Sequence, residues 1–247
     1  MTDLSIIIVN FKTPLITKAC VASIKKYPPE VTYEIIVIDN SMDNIGFAAG
    51  NNKGIKMANG KYILLLNSDT QVKEGAINKL LEFAKKHQDA GAVVPKLLNI
   101  DGSIQASVYR FPTVCRAIRQ YWFGEKGLLG KYVPETEIVE EAVMAAFLIT
   151  PVCLKKVGLL NEKYFMYFED FDYARRINKA DLKIYYLSDS KVVHHHGASG
   201  RNLAESRDQW RRLIPSSKIY HGLAGHYIIN GVIWLGQKWQ KFFQKQN

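Results

Sequence analysis

Two short runs confine this chain more tightly than any other feature: SIIIVN at residues 5–10 and EIIVID at residues 34–39. Each is almost wholly apolar and rich in β-branched side chains, and each ends in a polar turn former. That is the pattern of a strand buried on both faces of a parallel sheet. Between them Thr13 stands where an N-cap belongs and Pro14 at the first helical position, where a missing N–H costs nothing, so a helix is predicted from there to about Lys26. The unit is βαβ. The alternation continues with a helix over residues 47–58, the strand KYILLLN at 61–67, a helix over 74–87 and the strand AVVP at 92–95. It predicts an α/β fold with a largely parallel sheet flanked by helices, whose ligands sit beyond the carboxyl ends of the strands. The stretch 107–141 is the least periodic, and its Glu135, Glu137, Glu140 and Glu141 read as solvated loop charge.

Composition narrows the class. The 247 residues are 47% hydrophobic and 23% charged, which excludes a disordered or fibrous chain. Cys20, Cys115 and Cys153 are odd in number and widely spaced, so they fit neither a disulfide framework nor a CxxC metal site, and a reducing, cytoplasmic setting is expected. The start, MTDLSIIIVNF, reads as a first strand and not a signal peptide, and no apolar run reaches the ~18 residues of a membrane span.

The net charge of +10 is concentrated near the end: residues 201–247 hold eight Lys/Arg against two Asp/Glu. Ile228, Val232, Leu235, Trp239 and Phe242 recur there at helical spacing, with Lys238, Lys241 and Lys245 expected on the opposite side. The pattern suits a helix lying on an anionic membrane surface, peripheral to the inner face of the cell membrane, or equally a terminal helix packed on the domain or on a second copy in a homo-oligomer. A domain over residues 1–204 with a basic amphipathic helical extension over 205–247 is expected. Nucleic acid is not the expected partner, because no helix-turn-helix, zinc-finger, RNP or KH signature directs the charge.

Several segments carry chemistry. In NIGFAAGNNKG the glycines Gly46, Gly50 and Gly54 are four apart, matching neither GxGxxG nor GxxxxGK[ST], so hydride transfer and P-loop chemistry lose their usual support. Asn44, Asn51 and Asn52 supply neutral hydrogen-bonding groups close to Asp39, as a nucleoside requires, although a small-residue helix packed on the sheet explains the segment too. In LNSDT, Asp69 lies just past a buried strand, where a carboxylate suits Mg²⁺ or Mn²⁺ shared with substrate phosphates, or the N-cap of a following turn. The stretch NEKYFMYFEDFDYARR at 161–176 crowds Glu169, Asp170 and Asp172 among aromatic rings. Partial desolvation and mutual repulsion should raise the proton affinity of at least one, as a general base requires. The structural alternative is an acidic helix start paired with Arg175 and Arg176. In KVVHHHGASG, His194 and His196 could share a strand face, and one functional histidine is expected.

In their order and approximate spacing, SIIIVNF, IDNSMDNIGFAAGNNKGI, LLLNSDT, FMYFEDFDYARR and VVHHHGAS resemble the family 2 glycosyltransferases, and among them the bacterial rhamnosyltransferase-like branch that builds surface polysaccharides. The likeness runs from about Leu4 to Ser199. It implies a GT-A fold and an inverting transfer of a sugar, with rhamnose favoured, from a dTDP- or UDP-sugar to a glycan or lipid-linked acceptor. A non-catalytic relative that binds nucleotide or glycan as an assembly partner is the alternative. Carried across by position, Asp39 with Asn10, Asp43 and Asn51 would bind the donor nucleotide. Asp69 and His194 would hold Mg²⁺ or Mn²⁺, Asp170 would be the catalytic base, and Glu169 and Asp172 would face the sugar or acceptor. Asn67-Ser68-Asp69 lacks the first carboxylate of a DxD element, and Ala145-Ala146 replaces a usual Gly-Ala pair.

Overall fold

A computed structural model describes residues 2–134, 137–195 and 209–244. The chain begins β1 (Leu4–Asn10), α1 (Pro14–Lys26), β2 (Tyr33–Asp39), α2 (Phe47–Met57) and β3 (Tyr62–Asn67), each within a residue or so of its expected place. Thr13 occupies the N-cap position of α1, yet its hydroxyl does not cap the helix and turns to Asn10 Oδ1 at 3.3 Å. After β3 come β4 (Thr70–Val72), α3 (Ala76–Lys86) and β5 (Ala90–Leu98). β4 occupies the stretch in which Asp69 was considered as a helix cap, and α3 is entered through Gly75 instead, in the left-handed conformation. β5 runs well past the expected 92–95, and Pro95 is tolerated because β5 pairs with its antiparallel neighbour only at Ala92 and Val93.

The less periodic stretch contains β6 (Val108–Tyr109), α4 (Val114–Tyr121), β7 (Ile138–Val139) and β8 (Glu141–Ala142). Thr113 opens α4 by accepting from the Arg116 N–H at 3.2 Å. The chain then forms β9 (Ala146–Ile149), α5 (Pro151–Val157), α6 (Glu169–Lys179), β10 (Lys183–His194) and α7 (Gln209–Gln244), which is broken at Gly222. The expected boundary between residues 204 and 205 lies outside the described residues.

The main sheet has the order β2-β1-β3-β9-β5-β10-β4, with β7 also on β10. Its β2, β1 and β3 are parallel, as the βαβ reading required. Beyond β3 the sheet becomes mixed, because the short buried strand AFLI of β9 enters antiparallel to both β3 and β5. Two reversals restore the direction, so β5 and the β10 strand parallel to it point the same way as β1. The carboxyl ends Asn10, Asp39, Asn67 and His194 therefore share one edge, which is where an α/β sheet offers a ligand its crevice.

Strand alternation divides the interior into two layers. Ile6, Ile8, Leu64 and Leu66 pack with Cys20, Ile24, Leu80 and Leu81 of α1 and α3, while Ile7, Ile63 and Leu65 pack on the other face with Ala48 of α2, Cys153 of α5 and Tyr173 and Ile177 of α6. Each fully buried aliphatic side chain of this kind contributes roughly 1.5–3 kcal/mol. In α2, Gly54 lies so close to Ile7 that an added Cβ would collide with its side chain, which is why this helix is built of small residues.

The inner half of α7 docks on the domain. Ser216 Oγ donates to Met166 O at 2.8 Å, and the Tyr220 ring packs between Phe168, Phe171 and the Arg175 guanidinium. The outer half rests on α4, where Trp122 Nε1 donates to Val232 O at 3.1 Å and stacks on Trp239.

Candidate active site

A cleft of about 490 Å³ opens at the carboxyl edge of the sheet, and Asn51, Asp69, Glu169, Asp170 and His194 are among the side chains lining it. Three separate segments of the chain thus converge. Asp39 is exposed at the end of β2, directly across from Asn10 in the strand register; neither is among the residues lining the cleft, which Asn40, next in the chain, borders. It accepts from Asn10 Nδ2 at 3.1 Å and from the Ser41 N–H at 3.0 Å, and Ser41's bonds hold its carboxyl below the ordinary aspartate range. Asn10 Oδ1 in turn receives Thr13 N–H and the Thr17 hydroxyl, so Asn10 is a buried hub. Asp43 is exposed in the following loop.

The loop from β2 to α2 is built by asparagines. Asn40 is 3% exposed, its amide reaches Asn44 Oδ1 and Gly46 O, and its own oxygen takes the Ile45 N–H. Gly46, with φ 89°, brings the backbone so close to Phe165 that a Cβ would strike its carbonyl, and the next N–H, that of Phe47, donates to that same carbonyl at 2.8 Å. This contact joins the Asn-rich loop to the aromatic acidic segment. Asn51 lines the cleft while its amide donates to Phe47 O at 2.9 Å. Asn52, in contrast, is buried and clasps Leu160 and Glu162, a structural duty away from the cleft.

Asp69 is 2% exposed in the turn between β3 and β4, and its carbonyl accepts from the His195 N–H at 2.8 Å. His194, at the end of β10, has Nε2 3.5 Å from Asp69 Oδ1. Its Nδ1 is 2.7 Å from Gln105 Oε1, and the Gln105 amide nitrogen donates to Asn99 Oδ1 and to His194 O. Those donations orient the amide so that its oxygen faces Nδ1, which turns Nε2 toward the carboxylate. A carboxylate and an imidazole nitrogen set together at a strand end are ligand types that suit a divalent cation, with substrate phosphates completing the shell. Among the described residues no cluster of three or more His, Cys, Asp or Glu side chains forms a closed metal site. His196 lies outside the described residues.

The third segment begins with a strained turn. Tyr167 and Phe168 both have positive φ, 71° and 66°, a conformation that costs non-glycine residues about 1–3 kcal/mol each. This turn delivers Glu169 and Asp170 to the cleft at the first turn of α6. Burial raises the proton affinity of Glu169, and the Asp170 charge raises it further. Burial also raises Asp170, opposed by the Phe171 N–H, which it accepts at 2.8 Å, by Glu141 and by Lys131. Asp172 takes the structural alternative. It pairs with Arg176 at 2.8 Å, and Arg176 is fastened to Val157 O and Leu159 O, so the carboxylate expected near the sugar or acceptor is not among the residues lining the cleft.

Sequence reading missed four contributors. Lys131 and Gln105 serve the site from segments with no recognisable pattern, and Asn40 stands within IDNSMDNIGFAAGNNKGI, where the sequence reading falls on Asn44, Asn51 and Asn52 instead. The fourth corrects an expectation: Glu141, read as solvated, is completely buried beneath Asp170, and Glu140, read likewise, forms a fork with Arg116 at 2.6 and 2.7 Å.

Comparison with known proteins adds an independent line. The model of "Glycosyl transferase family 2" matches residues 40–122. An N-acetylglucosaminyl-diphospho-decaprenol L-rhamnosyltransferase of Mycobacterium tuberculosis is 30% identical over 159 residues, covering 58% of this chain and 50% of that protein. The chain therefore spans about half the length of that curated relative. Among solved structures, S. aureus TarS 1-349 superposes with a TM-score of 0.60 at 13% identity, covering 100% of this chain and 92% of its own. A structure of GalNAc-T7 with UDP, GalNAc and Mn²⁺ gives a TM-score of 0.59 at 16% identity, covering 78% of this chain and 43% of its own.

Proposed function

Because this chain belongs to the family 2 glycosyltransferases and has the GT-A fold, we propose that it transfers a sugar from a nucleoside diphosphate donor to a hydroxyl of a glycan or lipid-linked acceptor, with Asp170 as the base. The observation that supports this most is one cleft bordered on one side by the Asp69 and His194 pair and on the other by a carboxylate of raised proton affinity. Asp170 accepts the proton of the acceptor hydroxyl while that oxygen forms its bond to the anomeric carbon. The bond to the diphosphate oxygen breaks on the opposite face, so configuration inverts. Asp69 and His194 would hold Mg²⁺ or Mn²⁺, which supplies positive charge to the departing diphosphate. Asn10, Asp39, Asp43 and Asn51 serve the nucleotide, with Asn10 holding Asp39 in place. The relative from M. tuberculosis favours rhamnose as the sugar and a lipid-linked diphosphate sugar as acceptor.

Asp170→Asn keeps the shape and removes the base. Transfer should fall about 10²- to 10⁴-fold with donor affinity retained. Unchanged transfer by a folded variant would refute the assignment, and donor binding by the parent without transfer to any lipid extract would instead indicate a binding relative.

The outer half of α7 serves attachment in this reading. No helix among the described residues is long and apolar enough to cross a membrane. Leu223, Ile228, Trp234 and Leu235 are each about half exposed or more. Lys238 Nζ lies 3.9 Å above the ring of Trp234, which is not one of the expected apolar set, and Val232 of that set is partly buried against Trp122. Lys245 lies outside the described residues. A cation beside an exposed ring fits the anionic surface of a bilayer. Cosedimentation with anionic vesicles should be lost in Trp234→Ser/Lys238→Glu, and a protein that dimerises through the same face without binding vesicles would reverse the choice.

A further inference from the structure

Glu141 is 0% exposed, and among the described residues no donor reaches either of its carboxyl oxygens. It is held in place from several sides. β8 pairs with β6 so that Glu141 faces Tyr109, Asn178 of α6 reaches the Glu140 carbonyl, and α6 packs across the strand. The side-chain partner within hydrogen-bonding reach is the Asp170 carboxyl. Two carboxylates buried against each other cannot both stay ionised, so a proton must lie between them. Asp170 has a backbone N–H donor and borders the cleft, while Glu141 is sealed and has no donor; Lys131 favours ionisation of both and does not choose between them. The remaining groups facing the pair are Glu169, Tyr109, Tyr132 and Tyr220, and none brings a compensating positive charge.

We propose that Glu141 is a positioning residue for Asp170: as a neutral carboxylic acid beneath it, Glu141 donates the hydrogen bond that fixes the direction of the Asp170 carboxylate and keeps it ionised. This rests on the reading of Asp170 as base and deepens it. Burial and the neighbouring Asp170 charge both push the Glu141 proton affinity up, in agreement with this assignment. The arrangement accounts for a buried acid that no ion pair or backbone donor satisfies.

The test uses the full chain with Glu141→Gln and Glu141→Leu. Glutamine retains a donor and should keep transfer close to the parent rate. Leucine removes it, so kcat should fall about 10- to 100-fold with donor KM unchanged, as expected for loss of alignment. The acid limb of kcat/KM should also move to higher pH, because a donor that favoured the ionised form is gone. Infrared difference spectra at neutral pH should show a protonated-carboxyl carbonyl band in the parent that Glu141→Gln loses. That band is independent of sugar transfer, so it decides the proton's location even if the proposed reaction is wrong, and it decides alone if Glu141→Leu fails to fold. No lost band, a glutamine variant as impaired as the leucine variant, or a folded leucine variant with the parent's rate and pH limb would each overturn the proposal.

Discussion

Replacing Gly46 by alanine measures how tightly the Asn-rich loop is fitted to the segment that carries Asp170. Gly46 has φ 89° and ψ 176°, a region occupied almost only by glycine. Forcing alanine there costs about 1–3 kcal/mol. The added methyl also meets the Phe165 carbonyl, and relieving that overlap costs roughly 1–3 kcal/mol more, or breaks the Phe47 N–H bond to that carbonyl. Gly102 provides the control: its φ is 84°, but nothing lies within 4 Å of an added Cβ, so Gly102→Ala meets the conformational cost of about 1–2 kcal/mol alone. The entropy lost from the unfolded chain is common to both variants and cancels. Urea denaturation should show Gly46→Ala less stable than Gly102→Ala by about 1–3 kcal/mol, and in a chain of this length each kcal/mol moves Tm by about 2–4 °C. Equal losses in the two variants would refute the claim that close approach to Phe165, and not backbone conformation, makes glycine necessary.

Two further outcomes follow from the geometry. Gln105→Leu removes the acceptor that fixes the His194 ring and should weaken Mn²⁺ binding about 10- to 100-fold, read by the paramagnetic signal of free Mn²⁺ with the nucleoside diphosphate present. Unchanged binding would remove His194 from the cation's shell. Glu140 is partly buried, which opposes ionisation, but the Arg116 fork and the Phe111 N–H outweigh that and hold its carboxyl below the ordinary glutamate range. The stabilisation is therefore present above pH 4.5 and lost as pH falls through the lower folded value. At neutral pH Glu140→Gln should cost about 1–3 kcal/mol in urea denaturation, with the gap to the parent closing in acid, and a gap that widens there would contradict the sign.

The parts of this molecule legible in its sequence are those set by local periodicity. SIIIVN reads as a strand buried on both faces and is one, whereas EIIVID, which reads the same way, pairs with it in parallel but lies at the sheet edge and is only half-buried; Thr13-Pro14 opens the helix between them. The reversal at β9 was hidden because a four-residue strand carries no mark of its direction, so the sheet read as more parallel than it is. In the site, the cluster at 169–172 was visible as chemistry, but the division of labour within it depends on helical phase: Asp170 turns to the cleft while Asp172, two residues on, meets Arg176. Glu141 was illegible for a different reason. Its two-residue strand has no period, and its burial exists only because α6, from more than twenty residues later, covers it.

The seating of α7 has a mechanical consequence. Leu213 borders the cleft, and Ser216 and Tyr220 grip the strained turn at Tyr167 and Phe168, so the inner half of the helix forms part of the reaction chamber's wall. Beyond Gly222 the same helix leaves that wall and runs over α4. A support that captures the outer segment thereby sets the bearing of the chamber's mouth, much as a bracket sets the angle of the tool bolted to it. Trp234 is connected, across the break at Gly222 and through the contacts of Ser216 and Tyr220, to the turn that carries Asp170.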